Sequence, residues 1–395
     1  MKLDKRFIII FIILVTEVLG FSLVLPFLPF MAQDLGASPF QVGLILSVFS
    51  VFQFVSAPIM GKLSDSYGRR PLLLFSQLST FIGFIILGFS KSLWMIILSR
   101  IVDGLLGSNF SIAQAYLSDI SSKKNRSKTF GLSGAAFGFG FMIGPAIGGL
   151  LSRFGYGLPS FVAALMALIT ILTTFFFLPE TIKRKRKMNL KIEILKFSDF
   201  KSYLLDSKVA GKLRLFFSYV LSHAIWVSSF AMFAERQLGF NAVQVGYLLT
   251  FIGLVSIILR GFLLGKIIDL IGERNSQITG LAMVVLSMLG VSFAKDFYSA
   301  LFFIGFFALG SGLLRPLLMA SISKSVSPKK QGEVMGFTNS LGSLSQIIGP
   351  LLGGYLIANF FPGSLGLAAG LVMIIGILTT LKGKKISLSG KINPR

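Results

Sequence analysis

The stretch GKLSDSYGRR, residues 61–70, decides the fold, because four charged residues stand there between two long apolar runs. Each flanking run has roughly 20 residues, the length that an α-helix needs to cross the hydrocarbon core of a bilayer. The rest of the chain has the same character. Of its 395 residues, 54% are hydrophobic and only 13% are charged, whereas about 25% are charged in soluble domains. The sequence therefore predicts an all-α integral membrane protein.

Twelve apolar runs predict twelve membrane-spanning helices, called spans 1 to 12 below. The basic, then apolar N-terminus is similar to a signal peptide, but the run continues past Pro26 without a small-residue cleavage site. We therefore expect a retained first span. The predicted spans are residues 7–30, 40–62, 71–90, 94–119, 128–152, 157–179, 210–234, 242–266, 275–294, 297–322, 332–358 and 364–382.

Basic residues concentrate in every second loop, which predicts the orientation. The opposite loops carry only Lys91, Arg153, Arg236 and Lys295. By the positive-inside rule, both termini lie in the cytoplasm of a multi-pass cell-membrane protein. The net charge of +23 is spread over the inner loops as a topology signal, so we expect no nucleic-acid partner. The inner basic residues are Lys2, Lys5, Arg6, Lys62, Arg69, Arg70, Lys123, Lys124, Arg126, Lys128, those of 183–196, Lys266, Arg274, Lys324, Lys329, Lys330, Lys384, Lys385, Lys391 and Arg395.

The two halves of the chain repeat each other at an offset of roughly 204 residues. FQVGLILS (40–47) is repeated as VQVGYLLT (243–250), GKLSDSYGRR as GKIIDLIGER (265–274), and IGPAIGGLL (143–151) as IGPLLGGYL (348–356). We predict two pseudo-symmetric six-helix bundles, residues 1–180 and 209–395, joined by a basic cytoplasmic linker, 181–208. In such transporters the substrate site lies near the midplane, between the repeats.

These residues resemble the major facilitator superfamily over the whole chain. The 61–70 stretch is similar to its loop 2–3 motif, RIVDG (100–104) to its helix 4 motif, and GFMIGPAIGG (140–149) to its antiporter motif. TEVLGFSLVLPFLP (16–29) resembles the drug:proton antiporters, among them bacterial tetracycline and multidrug efflux proteins. The resemblance implies alternating access with export of amphipathic small molecules by proton antiport. Two alternatives remain: a transporter of one metabolite, such as a sugar, organic anion or lipid, and a membrane sensor that transports nothing.

The chain departs from the tetracycline pumps in one position that the resemblance makes important. Those pumps carry an aspartate in helix 3, and Gly83 stands near that position here. The resemblance therefore does not by itself carry tetracycline specificity over to this chain.

The loop motif and the small-residue helices predict gating positions. Gly61 suits a close helix approach, Gly68 a sharp turn, and Asp65 a partner for Arg69; the alternative is a plain anchor of positive charge. The resemblance implies that this motif acts as a latch between conformations. In spans 5 and 11, small residues around a proline favour close, kinked packing. The predicted gating residues are Gly61, Asp65, Gly68, Arg69, Arg70, Gly140, Gly144, Pro145, Gly148, Asp269, Gly349 and Pro350.

Charged residues inside a membrane are costly and so are candidate functional residues. Glu17 in span 1 is the first candidate for the coupled proton, because a carboxyl in a low-dielectric site can exchange a proton near neutral pH. Asp103 and Arg100, three apart in span 4, are the second. The alternatives are a permanent pairing of Glu17 with an arginine and a plain ion pair within span 4.

Polar and aromatic residues in apolar helices predict the wall of the substrate cavity. For His223, the single histidine, ordinary helix packing is the alternative, and Arg315 suits either an anionic substrate group or the balance of Glu17. The predicted wall is Gln53, Asn109, Phe110, Gln114, His223, Trp226, Phe230, Arg315, Asn339 and Gln346.

The sequence carries no phosphate-binding loop, metal-ligand cluster or nucleophile triad. We therefore expect no enzyme activity, no metal and no cofactor, and an ion gradient as the energy source. The expected partners are a small-molecule substrate, protons and the lipid bilayer, and the resemblance implies a monomer.

Overall fold

The computed structural model describes residues 5–121, 126–182, 203, 207–327 and 330–389, and this part of the chain is almost entirely helical. The predicted linker and the loop with Lys123 and Lys124 lie mostly or wholly outside the described residues. A π-helical segment, Leu259–Leu263, joins α10 to α11. The α-helices are α1 (Lys5–Val24), α2 (Leu28–Asp34), α3 (Pro39–Tyr67), α4 (Arg69–Gly88), α5 (Leu93–Leu106), α6 (Asn109–Ile120), α7 (Arg126–Leu151), α8 (Gly157–Phe177), α9 (Ser207–Leu238), α10 (Ala242–Ile258), α11 (Leu264–Val291), α12 (Phe297–Ser323), α13 (Gln331–Asn359) and α14 (Ser364–Ser389).

The described helices account for all twelve predicted spans. Ten helical stretches in the described ranges are long and apolar enough to cross a membrane, and Ser364–Thr380 is a shorter apolar helix. One of the ten, Ala242–Val291, is 50 residues long. It contains spans 8 and 9, because the helix breaks at Gly272, which has φ 80° and ψ 161°.

Two predicted spans are interrupted, which corrects the prediction of continuous helices. Span 1 stops at Val24 and resumes at Leu28, on either side of Pro26. Span 4 divides into α5 and α6 at Gly107, where the backbone leaves the helical conformation with ψ 63°. A Cβ atom on Gly107 would collide with the carbonyl oxygen of Asp103, so the turn requires glycine there.

Contacts divide the chain into two compact units. The first comprises residues 1–192 and 239–257, and the second comprises 193–238 and 258–395. In the first unit α1 packs against α7 and α8, and α4 packs against α5 and α8. Within this unit α10 also contacts α7, since a Cβ atom on Gly149 would lie 3.2 Å from the Cα of Gly246. In the second unit α9 packs against α13 and α14, and α11 packs against α12.

The sequence repeat is visible in the backbone. Glycines at equivalent positions of the two repeats adopt positive φ, a conformation that glycine reaches without steric cost. The pairs are Gly36 (φ 89°) with Gly239 (φ 67°), and Gly68 (φ 113°) with Gly272 (φ 80°). The chain therefore turns in the same way after each of the repeated sequences.

Small residues bring corresponding helices together in each unit. In the first unit, a Cβ atom on Gly144 of α7 would meet Ser22 and lie 3.0 Å from the Leu19 carbonyl oxygen of α1. In the second unit, a Cβ atom on Gly353 of α13 would meet Ser229 of α9. The α7–α1 and α13–α9 contacts thus have the same design, in which a hydroxyl group faces a glycine.

Candidate functional site

The break in span 4 frees backbone carbonyl groups that two neighbouring helices satisfy. Ser76 of α4 donates a hydrogen bond from Oγ to the Leu106 carbonyl oxygen at 2.6 Å. Gln53 of α3 donates from Nε2 to the Gly107 carbonyl oxygen at 3.0 Å. Irregular backbone at membrane depth needs such partners, because hydrocarbon supplies none. The break is therefore a built feature, held in place by polar side chains of α3 and α4.

Glu17 accepts hydrogen bonds from a residue that follows this break. Asn109, the first residue of α6, donates from Nδ2 to both carboxylate oxygens of Glu17, each at 2.9 Å. The same Nδ2 lies 3.0 Å from Oγ1 of Thr80. Asn109 is only 1% exposed, so the structure places this predicted cavity residue directly on the predicted proton carrier.

Arg100 and Asp103 lie side by side on α5 and are both buried. Their side chains form an ion pair at 3.5 Å. The Arg100 guanidinium also lies 5.9 Å from the ring centroid of Phe49 and 5.8 Å from that of Phe84, within cation–π range. Its Nη2 atom is buried and makes no hydrogen bond among the described residues. The arginine therefore has one polar atom left for a further partner.

A small cavity connects these groups, and it lies within the first unit. Its volume is about 20 Å³, which is room for a single water molecule. Its lining brings together the three residues that the sequence nominated for proton coupling. The lining residues are Glu17, Phe21, Phe49, Thr80, Phe84, Arg100, Asp103 and Gly107.

A second polar cluster surrounds the 61–70 stretch. Arg69 forms ion pairs with Asp65 at 2.5 Å and with Asp119, near the end of α6, at 2.9 Å. Glu180, which follows α8, accepts hydrogen bonds at 3.0 Å from the backbone N–H groups of Arg69 and Arg70. A carboxylate here satisfies the first N–H groups of α4 and the positive end of its dipole. The motif is thus tied to α6 and to the segment that follows α8, within its own unit.

The remaining positions of this motif differ in what they contact. The predicted sharp turn at Gly68 is confirmed by its φ of 113°. Arg70 lies over the ring of Phe175 at 5.7 Å from its centroid. The predicted close approach at Gly61 is wrong for the described part of the chain, since no atom there lies within 4 Å of a Cβ placed on it.

The second repeat carries an ion pair of reversed sign. At an offset of 204 residues Glu273 stands where the first repeat has Arg69, and Lys324 lies one position beyond Ser323, the counterpart of Asp119. Glu273 and Lys324 join at 2.6 Å between Nζ and Oε1. Both side chains are more than half exposed, and Asp269, the counterpart of Asp65, is exposed as well. Each repeat therefore has an ion pair near its glycine turn, but the acidic and basic members are exchanged between the two repeats.

The structure places the other predicted wall residues in two kinds of surroundings. Trp226 and Phe230 are each 1% exposed, and their rings lie tilted against each other with centroids 5.3 Å apart. Phe110 packs against the core of the first unit, and His223 lies 5.4 Å from the ring of Phe307. The half-buried or exposed members are Gln114, Arg315, Asn339 and Gln346.

The sequence did not reveal several residues that contact the predicted site residues only in the folded chain. Thr80 and Phe84 lie on α4, which carries no charge after its first turn. Asp119 and Glu180 stand at helix ends, where carboxylates are common. The spacing of Thr80, Phe84 and Gly83 on one face of α4 was the one available signal. A Cβ atom on Gly83 would lie 2.9 Å from that of Asp103, so this face packs directly on the ion pair.

The membrane-spanning helices, the internal repeat and the buried charged cavity define a multi-pass membrane transporter. The family model described as Major Facilitator Superfamily matches residues 10–310 and 215–387. The chain belongs to this family, and the predicted family and fold class are confirmed.

Bacterial resistance proteins are among its relatives. The class H tetracycline resistance protein of Pasteurella multocida is 29% identical over 95% of this chain and 94% of its own. The class C protein of Escherichia coli is 30% identical, again over 95% and 94%. Multidrug resistance protein 2 of Bacillus subtilis is 28% identical over 95% of each chain. The predicted resemblance to tetracycline and multidrug resistance proteins is confirmed.

Solved structures show the same fold. The nucleoside transporter NupG superposes with a TM-score of 0.76 over 96% of this chain and 99% of its own, at 13% identity. At that identity the likeness concerns the fold alone.

Proposed function

We propose that this protein exports amphipathic, drug-like small molecules by proton antiport through alternating access. The observation that carries the proposal is the cavity that joins Glu17, Arg100 and Asp103 at an interrupted membrane helix. The names of the tetracycline and multidrug resistance relatives support drugs as the class of substrate.

The charges around the cavity suit a single exchangeable proton. Two carboxylates, Glu17 and Asp103, share one cation, Arg100. Arg100 balances one carboxylate, and a proton on the other makes the set neutral. An uncompensated charge in a low-dielectric site is costly. Loading and releasing one proton therefore changes the charge of the buried set, and such a change can bias one transporter conformation over another.

Glu17 is the better carrier of the two carboxylates. Asp103 is paired within its own helix at 3.5 Å, whereas Glu17 is held by the neutral amide of Asn109. As a whole residue Glu17 is half-buried, whereas Asp103 is buried, which favours Glu17 for proton exchange. Arg100 then orients Asp103 and supplies the counter-charge, and the cavity holds a water molecule that links the two carboxylates.

The cavity is too small to hold the exported molecule. Pockets for drug-sized ligands measure about 300–1,000 Å³, and this one measures about 20 Å³. We propose that substrate binds to the predicted wall residues of both repeats in other conformations. The 61–70 motif, Asp269 and the glycines and prolines of α7 and α13 are proposed to gate the exchange.

The proposal includes the setting of the protein. We place it in the cell membrane with both termini cytoplasmic, following the basic loops, and expect it to act as a monomer. Its partners are the small-molecule substrate and protons. It performs transport without covalent chemistry.

Export of the lipophilic cation rhodamine 6G tests the proposal, measured as efflux from energised cells or as uptake into energised inverted vesicles. We expect uphill efflux by the wild type, loss of it with a protonophore, and at least a tenfold slower rate in Glu17→Gln. Glu333→Gln, an exposed residue in the first turn of α13, is the matched control and should transport normally. Efflux that continues after the proton gradient collapses would contradict proton antiport.

A further inference from the structure

In the second unit, α9 and α12 meet along a row of side-chain contacts. The ring of His223 lies 5.4 Å from that of Phe307. One turn away, Tyr219 donates from its hydroxyl to the Ser311 carbonyl oxygen at 3.4 Å. Residues four apart share a helix face, so Arg315 is the next residue of α12 on the face that carries Phe307 and Ser311.

The π-helical segment brings a second arginine to the same place. Leu259, the first residue of the segment, is buried with Leu313 and Leu317 of α12 in one cluster. A Cβ atom on Gly312 would come 2.5 Å from a Leu259 methyl group, so segment and helix are in close contact. Arg260 follows Leu259 directly. Single π-turns within α-helices are frequent at functional sites, because they re-aim side chains.

Both arginines come to the same region of the second unit. Leu259, next to Arg260, packs on Leu313 and Leu317, which stand two positions to either side of Arg315. Neither arginine forms an ion pair with a carboxylate in the part of the chain that the structure describes. Both side chains are exposed on the unit, so a ligand can reach them.

Two unpaired cations at membrane depth are unfavourable unless something negative lies between them. Arginine presents its N–H groups in a fork that matches carboxylate, sulfonate and phosphate oxygens. The Tyr219 hydroxyl is buried and already donates to Ser311, so the two guanidinium groups supply the donors. We propose that Arg260 and Arg315 form a binding site for an anionic group, carried by a free amphipathic anion or by a lipid headgroup. The site lies on the second unit and is separate from the cavity at Glu17.

Binding of fluorescein, an amphipathic anion, to the purified full chain in phosphatidylcholine nanodiscs tests this site. Fluorescence anisotropy should give a dissociation constant that rises at least tenfold in Arg315→Gln and in Arg260→Gln. Arg315→Lys should keep part of the affinity, because the charge remains. Arg274→Gln, an exposed arginine on α11, is the matched control and should bind as the wild type does. The measurement needs no proton gradient, so its outcome is independent of the efflux test.

A second arm separates the two sources of the anion. Native mass spectrometry should count phosphatidylglycerol molecules retained by each variant from mixed nanodiscs. Weak fluorescein binding together with retained lipid that the arginine variants lose would assign the site to a lipid headgroup. Unchanged fluorescein binding and unchanged lipid retention in both glutamine variants, with melting temperatures like the wild type, would overturn the proposal.

Discussion

At the scale of single residues, the first unit concentrates its membrane charges around one water-sized space. Arg100 is 5% exposed and so is Asp103. Arg100 pairs with Asp103 and lies near the rings of Phe49 and Phe84. Its Nη2 atom is buried and has no hydrogen-bond partner among the described residues. A buried ion pair adds little stability over an apolar pair, but removing one partner strands the other.

Removal of the cation should therefore destabilise the protein, and removal of both members should restore part of the loss. We expect Arg100→Gln to lower the free energy of unfolding by about 3–5 kcal/mol. The double variant Arg100→Gln/Asp103→Asn should recover stability, because no unpaired aspartate remains. Thermal unfolding in detergent measures both. A double variant that is less stable than Arg100→Gln would refute this account of the pair.

Asn109 should act through Glu17 and not through the substrate. In Asn109→Leu the carboxylate loses both hydrogen bonds of 2.9 Å, so we expect proton-driven rhodamine efflux to fall about tenfold, the scale of one charge-assisted hydrogen bond. Rhodamine binding without a gradient should stay within twofold of the wild type. Asn359→Leu, an exposed asparagine of α13, serves as the control. A large loss of dye binding in Asn109→Leu would return this residue to the substrate wall.

At the scale of helices, the site depends on elements that are broken or unusually close. The break between α5 and α6 puts Arg100 and Asn109 on separate helices that face one cavity. The glycines of α7 and α13 bring those helices against the backbones of α1 and α9. Helix contacts of this kind rest on van der Waals packing, since lipid is as apolar as the side chains.

A single methyl group in the α7–α1 contact should be enough to disturb it. In Gly144→Ala the new Cβ atom would meet Ser22 and the Leu19 carbonyl oxygen, and we expect a loss of about 1–3 kcal/mol from overpacking. Gly134→Ala lies on the same helix with no described atom within 4 Å of the new Cβ atom, so its melting temperature should not fall. Equal melting temperatures for the two variants would show that the contact is not tight.

At the scale of the whole molecule, the two repeats share a backbone but differ in chemistry. Both turns use a glycine with positive φ, at Gly68 and Gly272. Around the first turn two carboxylates pair with Arg69 while a third caps the helix that it begins. Around the second turn one exposed pair remains, and exposed pairs contribute about 0–1 kcal/mol. The counterparts of Glu17, Arg100 and Asp103 at the offset of 204 residues are the uncharged Leu221, Ile304 and Phe307, and the arginines of the second repeat occupy other positions.

This asymmetry predicts unequal effects of equivalent changes. Arg69→Gln removes the centre of a cluster and should slow rhodamine efflux about tenfold. Glu273→Gln removes one end of an exposed pair and should change the rate less than twofold. Both variants keep the glycine turn, so expression and melting temperature provide the folding control. Equal losses of transport in the two variants would contradict the assigned asymmetry.

The sequence predicted what depends on period and length, and missed what depends on packing. Span positions, the repeat and the cluster of Glu17, Arg100 and Asp103 follow from apolar runs and from charges within them. The break at Gly107 was missed, although DGLLGSN (103–109) has only two leucines among glycine and polar residues, because the span was predicted from its overall length and apolar character. Arg260 was not among the predicted site residues. Its neighbour Tyr219 lies on another helix, and no local pattern joins the two.

The exchanged polarity of the Arg69–Asp119 and Glu273–Lys324 pairs has an evolutionary consequence. After a duplication, one charge reversal alone would place two like charges together, so we expect the two changes to have been accepted as a linked set. Arg69 also pairs with Asp65, whereas Glu273 and Lys324 are exposed, so only the second pair is expected to tolerate either sign. Among descendants of the same ancestor, residues 69 and 119 should covary, and residues 273 and 324 should covary separately. A variant library that randomises residues 273 and 324 should recover both polarities among its functional members.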